Sequence, residues 1–350
     1  MTSPAHACAP QWLPALAAYL GGLGLADPAT LTLRPLSGGQ SNPTYLLEDA
    51  TGRRVLRKQP PGELLPSAHA VDREYRVMSA LADSAVPVPR MLHYCADRAI
   101  VGTPFYLMSY AQGRVFMDPG LPGMAAAERA ALYAEAGRVL AALHAVDPAE
   151  AGLSDYGRSG DYFARQVGRW TRQYRDTQTE PIAAMDALID WLPRHIPPEM
   201  PARVVHGDYR LDNMILAEDA PRVIAVLDWE LSTLGDPLAD FAYHLMAWHM
   251  PHSDSAAGTA TLRGHDLAAL GIPAMDDYVE MYRARTGLDP RPHLNTYLAY
   301  NFFRIAAILQ GIIGRVRDGT ATSEFAPSKA EMIRPLAATA WDFARAAGAR

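Results

Sequence analysis

The stretch that decides the fold of this chain is Val204-Val-His-Gly-Asp-Tyr-Arg-Leu-Asp-Asn213, which is followed further on by Asp228-Trp-Glu230. Two short apolar runs, residues 214–217 and 222–227, lie between these polar stretches and predict a β-hairpin. Paired antiparallel strands bring the start of one strand beside the end of the next, so Asn213 and Asp228 are expected at the same end of the hairpin.

The side chains expected at that end suit a magnesium ion. A carboxylate beside an amide oxygen offers the oxygen ligands that Mg²⁺ prefers, and Mg²⁺ needs few protein groups because it keeps sites for water and phosphate. Asp208 lies on a tight turn before Asn213, where its carboxylate could accept the proton of an attacking hydroxyl. The structural alternative is that these residues cap turns or form an ordinary salt-bridge cluster.

The order of these residues resembles a known family. His206-Gly-Asp-x-x-x-x-Asn213, a short hairpin and an apolar strand ending in Asp228 are similar to the pattern of the phosphotransferases that include aminoglycoside phosphotransferases and choline kinases, relatives of protein kinases. Residues 227–240 resemble the kinase-like domains fused to, or encoded beside, acyl-CoA dehydrogenases. The resemblance extends over about residues 31–310.

The resemblance implies a role for each matching residue. Asp208 is implied to be the catalytic base, and Asn213 and Asp228 are implied to bind Mg²⁺. His206 is implied to brace the loop. Asp236 and Asp240, in the Gly-Asp-Pro continuation, are expected to fix the loop, with substrate contact as a further role. For Asp236 the alternatives are a cap of the following helix and a part in the site.

Periodicity along the chain divides it into a β-rich part and a helical part. Strands are predicted at residues 31–36, 44–47, 53–58, 91–95 and 104–110, and helices at 71–81, 129–146, 161–177, 183–195, 237–250, 276–286, 294–316 and 328–347. Together with the resemblance, this predicts an α+β, bilobal protein-kinase-like fold. Residues 1–110 form its N-lobe (an N-terminal helix, an antiparallel sheet and one inserted helix), 111–123 a linker, and 124–350 a helical C-lobe with the loop and hairpin.

A kinase fold must also hold the nucleotide phosphates. The resemblance places the phosphate-covering loop at Ser37-Gly38-Gly39, where adjacent glycines let backbone N–H groups approach an anion; a plain hairpin turn is the alternative. In the strand that follows, Arg57 and Lys58 point to opposite faces, so only one of them can face the phosphates. The resemblance favours Arg57 over Lys58, because many members of the family have arginine at this position. Glu74 is expected to be its ion-pair partner, and a surface glutamate on a helix is the alternative.

The strand that ends the β-rich part matches the kinase hinge. The resemblance implies that adenine binds near Met108, Ser109 and Tyr110, although an apolar run of this kind is otherwise a core strand. ATP and Mg²⁺ are therefore the expected cofactors, and ATP is not distinguishable from GTP.

Composition excludes several classes of protein. The 350 residues are 49% hydrophobic and 20% charged, with a formal charge of −6, which excludes a disordered chain and argues against a nucleic-acid binder. Residues 294–314 are apolar but contain three amides and an arginine, which predicts a buried helix rather than a membrane span. Two cysteines and no secretory leader pattern predict a cytoplasmic protein.

Alternative functions remain open at this stage. Four histidines, His144, His206, His244 and His249, could belong to a transition-metal hydrolase, although no H-E-x-x-H motif is present. A weakly active kinase-like module partnering an acyl-CoA dehydrogenase is a second alternative. Because few residues separate Asp228 from the next helix, no peptide-docking segment fits, and the acceptor is predicted to be a small-molecule hydroxyl. The resemblance suggests a hydroxyacyl-CoA, with an amino alcohol or an aminoglycoside as alternatives.

Overall fold

A computed structural model describes residues 10–36, 42–62, 69–158, 160–252, 260–319 and 326–350. The residues of the expected phosphate-covering loop, Ser37, Gly38 and Gly39, lie outside these described residues. The chain divides into two compact units. The first unit contains Met1–Asp83, Pro87–Gln112 and Ala225–Glu230, and the second unit contains Ser84–Val86, Gly113–Ile224 and Leu231–Arg350.

The first unit is built on a five-stranded antiparallel sheet with strand order β1-β2-β3-β5-β4. Its elements are α1 (Leu13–Gly22), β1 (Thr32–Pro35), β2 (Thr44–Asp49), β3 (Gly52–Lys58), α2 (Val71–Ala80), β4 (Met91–Cys95), α3 (Arg98–Val101) and β5 (Phe105–Ser109). Leu16 and Leu20 of α1 pack in one apolar cluster with Leu56 and Phe105 of the sheet. The helix expected after the third strand is present as α2.

The second unit is mostly helical. Its elements are α4 (Ala126–Ala145), α5 (Tyr162–Thr177), α6 (Ala183–Trp191), β6 (Arg203–Val205), β7 (Met214–Leu216), β8 (Val223–Val226, shared with the first unit), β9 (Thr233–Gly235), α7 (Pro237–Leu245), α8 (Leu267–Leu270), α9 (Met275–Thr286), α10 (Leu294–Arg317) and α11 (Ala326–Ala346). Strand β6 pairs antiparallel with β9, and β7 pairs with β8. The content of the two units confirms the predicted α+β class.

Several elements differ from their predicted bounds. The helix predicted over 183–195 ends at Trp191 and continues as a 3-10 turn, Leu192–Arg194, because Pro193 has no N–H for the α-helical ladder. The helix predicted over 237–250 likewise becomes 3-10 at Met246–Trp248. Strands β6 and β9 have only three residues each, too few to produce a recognisable sequence period.

Helix α10 forms the centre of the second unit. By length and composition its region, Arg291–Arg317, could cross a membrane, but 72% of its most apolar window is buried within the structure. Polar side chains within the apolar sequence of α10 bind it to neighbouring elements. Asn301 donates to Ala239 O at 2.9 Å, and Gln310 donates to Thr177 O at 2.7 Å. The pattern therefore predicted a buried helix correctly.

Burial of one histidine should make the stability of the fold sensitive to acid. His244 on α7 is buried; its Nδ1 lies 3.2 Å from Tyr209 O and its Nε2 3.0 Å from the Tyr278 hydroxyl. The neutral ring can satisfy both contacts, by donating to the carbonyl and accepting from the hydroxyl. Burial lowers the pKa of His244 from 6.5 to about 4.

We predict that the free energy of unfolding falls as the pH drops from 6.5 to 4. In this range the His244 ring binds a proton in the unfolded chain but stays neutral in the folded protein. At about 1.4 kcal/mol per pKa unit, His244 accounts for about 3 kcal/mol of this loss in the free energy of unfolding. Urea unfolding of wild type and His244→Gln over this pH range checks the prediction. The variant should show a shallower pH dependence, and identical slopes would contradict the assignment to His244.

Candidate active site

A buried carboxylate on α7 fixes the backbone of the 206–213 loop. Asp240 accepts the His206 N–H through Oδ2 and the Gly207 N–H through Oδ1, both at 2.8 Å. His144 of α4 lies 3.2 Å from Oδ2 and places its other ring nitrogen 2.7 Å from the Tyr282 hydroxyl. Burial opposes the charge of Asp240, but the contact with His144 and the backbone N–H groups lower its pKa below the usual value.

The loop turns sharply at Gly207. Its φ of +81° is a left-handed conformation, and a Cβ there would lie 2.7 Å from Leu231 O, so the turn requires glycine. The Gly207 carbonyl accepts from Arg304 Nη2 at 2.7 Å. His206 is buried, and its Nδ1 accepts the Asp208 N–H at 3.2 Å. The backbone that carries Asp208 is therefore held from several sides.

The Asp208 carboxylate lies at the end of this braced turn. Its Oδ1 accepts from the Tyr243 hydroxyl at 2.5 Å, and its Oδ2 accepts from Asn213 Nδ2 at 3.0 Å. Arg210 Nε lies 3.8 Å from Oδ1. The Asp208 side chain is 23% exposed, so a carboxylate with a fixed orientation still reaches solvent.

Asn213 uses only its nitrogen in these contacts. It closes the 3-10 turn Leu211–Asn213 directly before β7, and Nδ2 also donates to the Asp208 backbone carbonyl at 2.8 Å. Because both of these bonds go to the amide nitrogen, the amide oxygen remains available as a ligand for a hard cation.

The first unit contains a buried cluster of charges around Arg57. Its Nε lies 3.0 Å from Glu74 Oε2, its Nη2 lies 2.9 Å from Asp228 Oδ1, and Glu230 is 3.9 Å away. Burial opposes the charge of Arg57, but the carboxylates, Glu74 foremost, raise its pKa above the usual value. The guanidinium is therefore a permanent cation beside Asp228.

The position of Glu74 is also fixed. Its side chain is 1% exposed and accepts from Asn42 Nδ2 at 2.8 Å and from the Tyr106 hydroxyl at 3.0 Å. Asp228 follows β8 and has a φ of +65°, an uncommon conformation for a residue with a side chain. The Asp228 side chain is 35% exposed, so it can reach a ligand as well as Arg57.

Lys58 points the other way, as strand alternation requires. Its Nζ donates to Val101 O at 2.6 Å and lies 5.0 Å from the centroid of the Trp12 ring. Burial lowers the pKa of this lysine. Of the two cations, Arg57 is the one that the structure brings to Glu74 and Asp228.

The expected adenine-binding residues lie at the end of β5. Met108 is buried, and the guanidinium of Arg53 lies 5.7 Å from the Tyr110 ring centroid. The Ser109 N–H donates to Arg90 O at 2.9 Å, and its Oγ accepts the Arg90 N–H at 3.0 Å. Ser109 has therefore already used its backbone donor within the sheet.

Asp236 has the contacts of a helix cap. Its Oδ1 accepts the N–H groups of Leu238 and Ala239 at the start of α7, at 2.8 and 3.4 Å, and its Oδ2 accepts from the Tyr297 hydroxyl at 2.9 Å. Both oxygens are used within the second unit. The two backbone contacts are those of a helix cap, one of the two expected roles, and the bond from Tyr297 joins this cap to α10.

Sequence reasoning missed Tyr243 and Arg304 as neighbours of Asp208. A signal for Tyr243 was present, since it follows Asp240 by three residues on α7 and residues at this spacing share a helix face. The transition-metal alternative gains no support. Within the described part of the chain, no group of three or more His, Cys, Asp or Glu residues is arranged to hold a metal ion.

Comparison with known proteins identifies the family. The sequence profile of the phosphotransferase enzyme family matches residues 32–281, and the chain belongs to this family. It is 46% identical to acyl-CoA dehydrogenase family member 10 of Mus musculus over 337 residues, covering 96% of this chain and 31% of the relative. The chain spans between 31% and 42% of the length of the first curated relatives it matches.

Solved structures agree with this assignment. A Ralstonia eutropha protein classed among the aminoglycoside phosphotransferases is 48% identical, with a TM-score of 0.84 covering 95% of this chain and 98% of that one. An aminoglycoside phosphotransferase in ternary complex with ADP and hygromycin B is 15% identical, with a TM-score of 0.61 covering 96% and 99%. The predicted protein-kinase-like fold and the family resemblance are thus confirmed.

We predict that Asp240→Asn lowers the free energy of unfolding by about 2–4 kcal/mol. An asparagine offers one oxygen, so one of the two buried N–H groups loses its acceptor, and hydrogen bonds to a charged acceptor contribute about 1.5–3 kcal/mol. Urea denaturation measures the change. The control is Asp342→Asn, which removes an exposed ion pair with Arg345 and should cost about 1 kcal/mol or less. Equal losses in both variants would contradict the role given to Asp240.

Proposed function

We propose that this phosphotransferase is an ATP- and Mg²⁺-dependent kinase that phosphorylates a hydroxyl of a small molecule. The observation that carries the proposal is Asp208, a solvent-reaching carboxylate held by Tyr243 and Asn213 on a loop anchored by Asp240. A carboxylate of this kind can orient an acceptor hydroxyl and take its proton. Asp208 is proposed as the catalytic base.

Asn213 and Asp228 are proposed to hold the metal ion. These two residues fit Mg²⁺, which prefers oxygen ligands. The hydrogen bonds of Asn213 use its Nδ2 and leave its amide oxygen available, and the Asp228 carboxylate is partly exposed. Bound Mg²⁺ would supply neutralisation of phosphate charge. His206 and Asp236 are proposed to act by supporting the loop and the start of α7, without contacting substrate.

The nucleotide is proposed to bind through the first unit. Arg57, held by Glu74, would contact the phosphates, and the contact of Lys58 with Val101 O argues against Lys58 in that role. Ser37, Gly38 and Gly39 are proposed to cover the phosphates, and Met108, Ser109 and Tyr110 to lie near adenine. One structural neighbour is bound to ADP and another to GDP, so the proposal covers a purine nucleotide, with ATP as the nucleotide to be tested first.

The acceptor is proposed to be a hydroxyacyl-CoA. The proposal is supported by relatives named as acyl-CoA dehydrogenases, whose names suggest a chain that works on acyl-CoA compounds beside a dehydrogenase. Amino alcohols and aminoglycosides remain as competing acceptors, since a neighbour is bound to hygromycin B.

A mass-spectrometric phosphotransfer screen tests the proposed reaction. Wild type with Mg-ATP should add one phosphate to a hydroxyacyl-CoA in a panel that also holds amino alcohols, sugars and aminoglycosides. Asp208→Asn keeps the size of the side chain and one of its two acceptor oxygens but is a poor base, so it should lose about 100-fold or more in rate. Binding of ATP without any product or ATP consumption would favour a kinase-like binding module partnering a dehydrogenase.

The assignment of Arg57 predicts a difference between two neighbouring cations. Arg57→Lys keeps the charge beside Glu74 but removes the planar fork, and should weaken Mg-ATP binding about 10-fold. Lys58→Met keeps an unbranched buried side chain and should change the Kd less than about 2-fold. Isothermal titration calorimetry gives both values. A larger loss in the Lys58 variant would reverse the assignment.

A further inference from the structure

We propose that Tyr243 is a positioning residue for the catalytic base: its hydroxyl fixes the orientation of the Asp208 carboxylate for proton transfer. This inference rests on the proposed kinase function, and it adds a residue that the motif of the 206–213 loop does not contain. Its main observation is the hydrogen bond of 2.5 Å from the Tyr243 hydroxyl to Asp208 Oδ1.

The same helix controls both the backbone and the side chain of the loop. Asp240 on α7 accepts two N–H groups of the loop, and Tyr243, one helical turn further on, donates to the carboxylate. Because both groups come from one rigid element, Asp208 cannot rotate independently of the backbone that carries it. A carboxylate held in one orientation keeps the geometry that proton transfer needs.

The surroundings of Tyr243 keep it in place and protonated. The residue is buried, and the guanidinium of Arg304 lies 5.1 Å from its ring centroid while donating to the Gly207 carbonyl. Burial, and then the negative charge of Asp208, raise the pKa of Tyr243 well above its usual value. The hydroxyl therefore remains a hydrogen-bond donor throughout the neutral range.

The two oxygens of the Asp208 carboxylate have different hydrogen-bond partners and therefore different roles. Oδ1 is engaged by the short bond from Tyr243, while Oδ2 has the longer bond from the neutral amide of Asn213. We assign Oδ2 as the proton acceptor. As the acceptor oxygen bonds to the γ-phosphorus and the bond to the ADP oxygen breaks, the hydroxyl proton moves to Oδ2. Tyr243 keeps its own proton, and Asp208 later releases the transferred proton to water.

The test is steady-state kinetics of Tyr243→Phe with the acceptor found by the phosphotransfer screen. We expect kcat to fall about 10- to 100-fold with little change in KM for ATP or acceptor, because misplacing a reacting group has an effect of this size. The matched control is Tyr133→Phe, which also loses a buried phenol bond, to Pro119 O at 2.6 Å. Its kcat should stay within about 2-fold of wild type.

A double-mutant cycle separates positioning from a general structural role. In an Asp208→Asn background, Tyr243→Phe should cause no further loss, since the group it positions is already gone. Independent, multiplied losses, or wild-type kcat in Tyr243→Phe, would overturn the inference while leaving the proposed function intact. A wild-type protein that phosphorylates none of the acceptors would overturn the proposed function and this inference with it.

Discussion

The 206–213 loop of the second unit depends on one constraint, two backbone N–H groups that donate to one buried carboxylate. Asp240 takes the N–H groups of His206 and Gly207 at the point where the chain leaves β6. That anchor makes the left-handed turn at Gly207 persistent and directs Asp208 to solvent. Because Asp240 is part of α7, the loop is held only if α7 is itself held. The cap at Asp236 and the bond from Asn301 of α10 hold α7.

The first unit depends on a comparable arrangement of buried charge. Arg57 and Glu74 form an ion pair within the sheet and α2, and Asn42 and Tyr106 satisfy the rest of the Glu74 carboxylate. Removing one member of such a pair would leave an uncompensated buried charge, which is why the pair is costly to break. In this arrangement the Arg57 guanidinium is already held beside Asp228, so the proposed binding of phosphate would need little further ordering of this side chain.

The sequence predicted the parts of the molecule that local patterns encode. The strands of the 214–226 hairpin, the inserted helix α2 and the burial of α10 follow from period and polarity. Strand alternation predicted that Arg57 and Lys58 point apart, and the family resemblance favoured Arg57 as the partner of Glu74. The ion pair of Arg57 with Glu74 and the packing of Lys58 against Val101 and Trp12 agree with that choice. The spacing of three residues from Asp240 places Tyr243 on the same face of α7. The bond from Tyr243 to Asp208 joins residues 35 positions apart, so this spacing does not report which side chain Tyr243 meets.

The central claim is that this chain transfers the γ-phosphoryl group of ATP to a small-molecule hydroxyl. Phosphorus NMR of the protein incubated with Mg-ATP and, in separate samples, a hydroxyacyl-CoA, an amino alcohol, a sugar and an aminoglycoside follows that group directly. The account predicts that the γ-phosphate signal of ATP is replaced, in equal amount, by one new phosphomonoester signal, distinct from the 3′-phosphate signal of CoA where CoA is present, while ADP accumulates. ATP that stays unchanged across all acceptor classes, or that yields only inorganic phosphate, would contradict it.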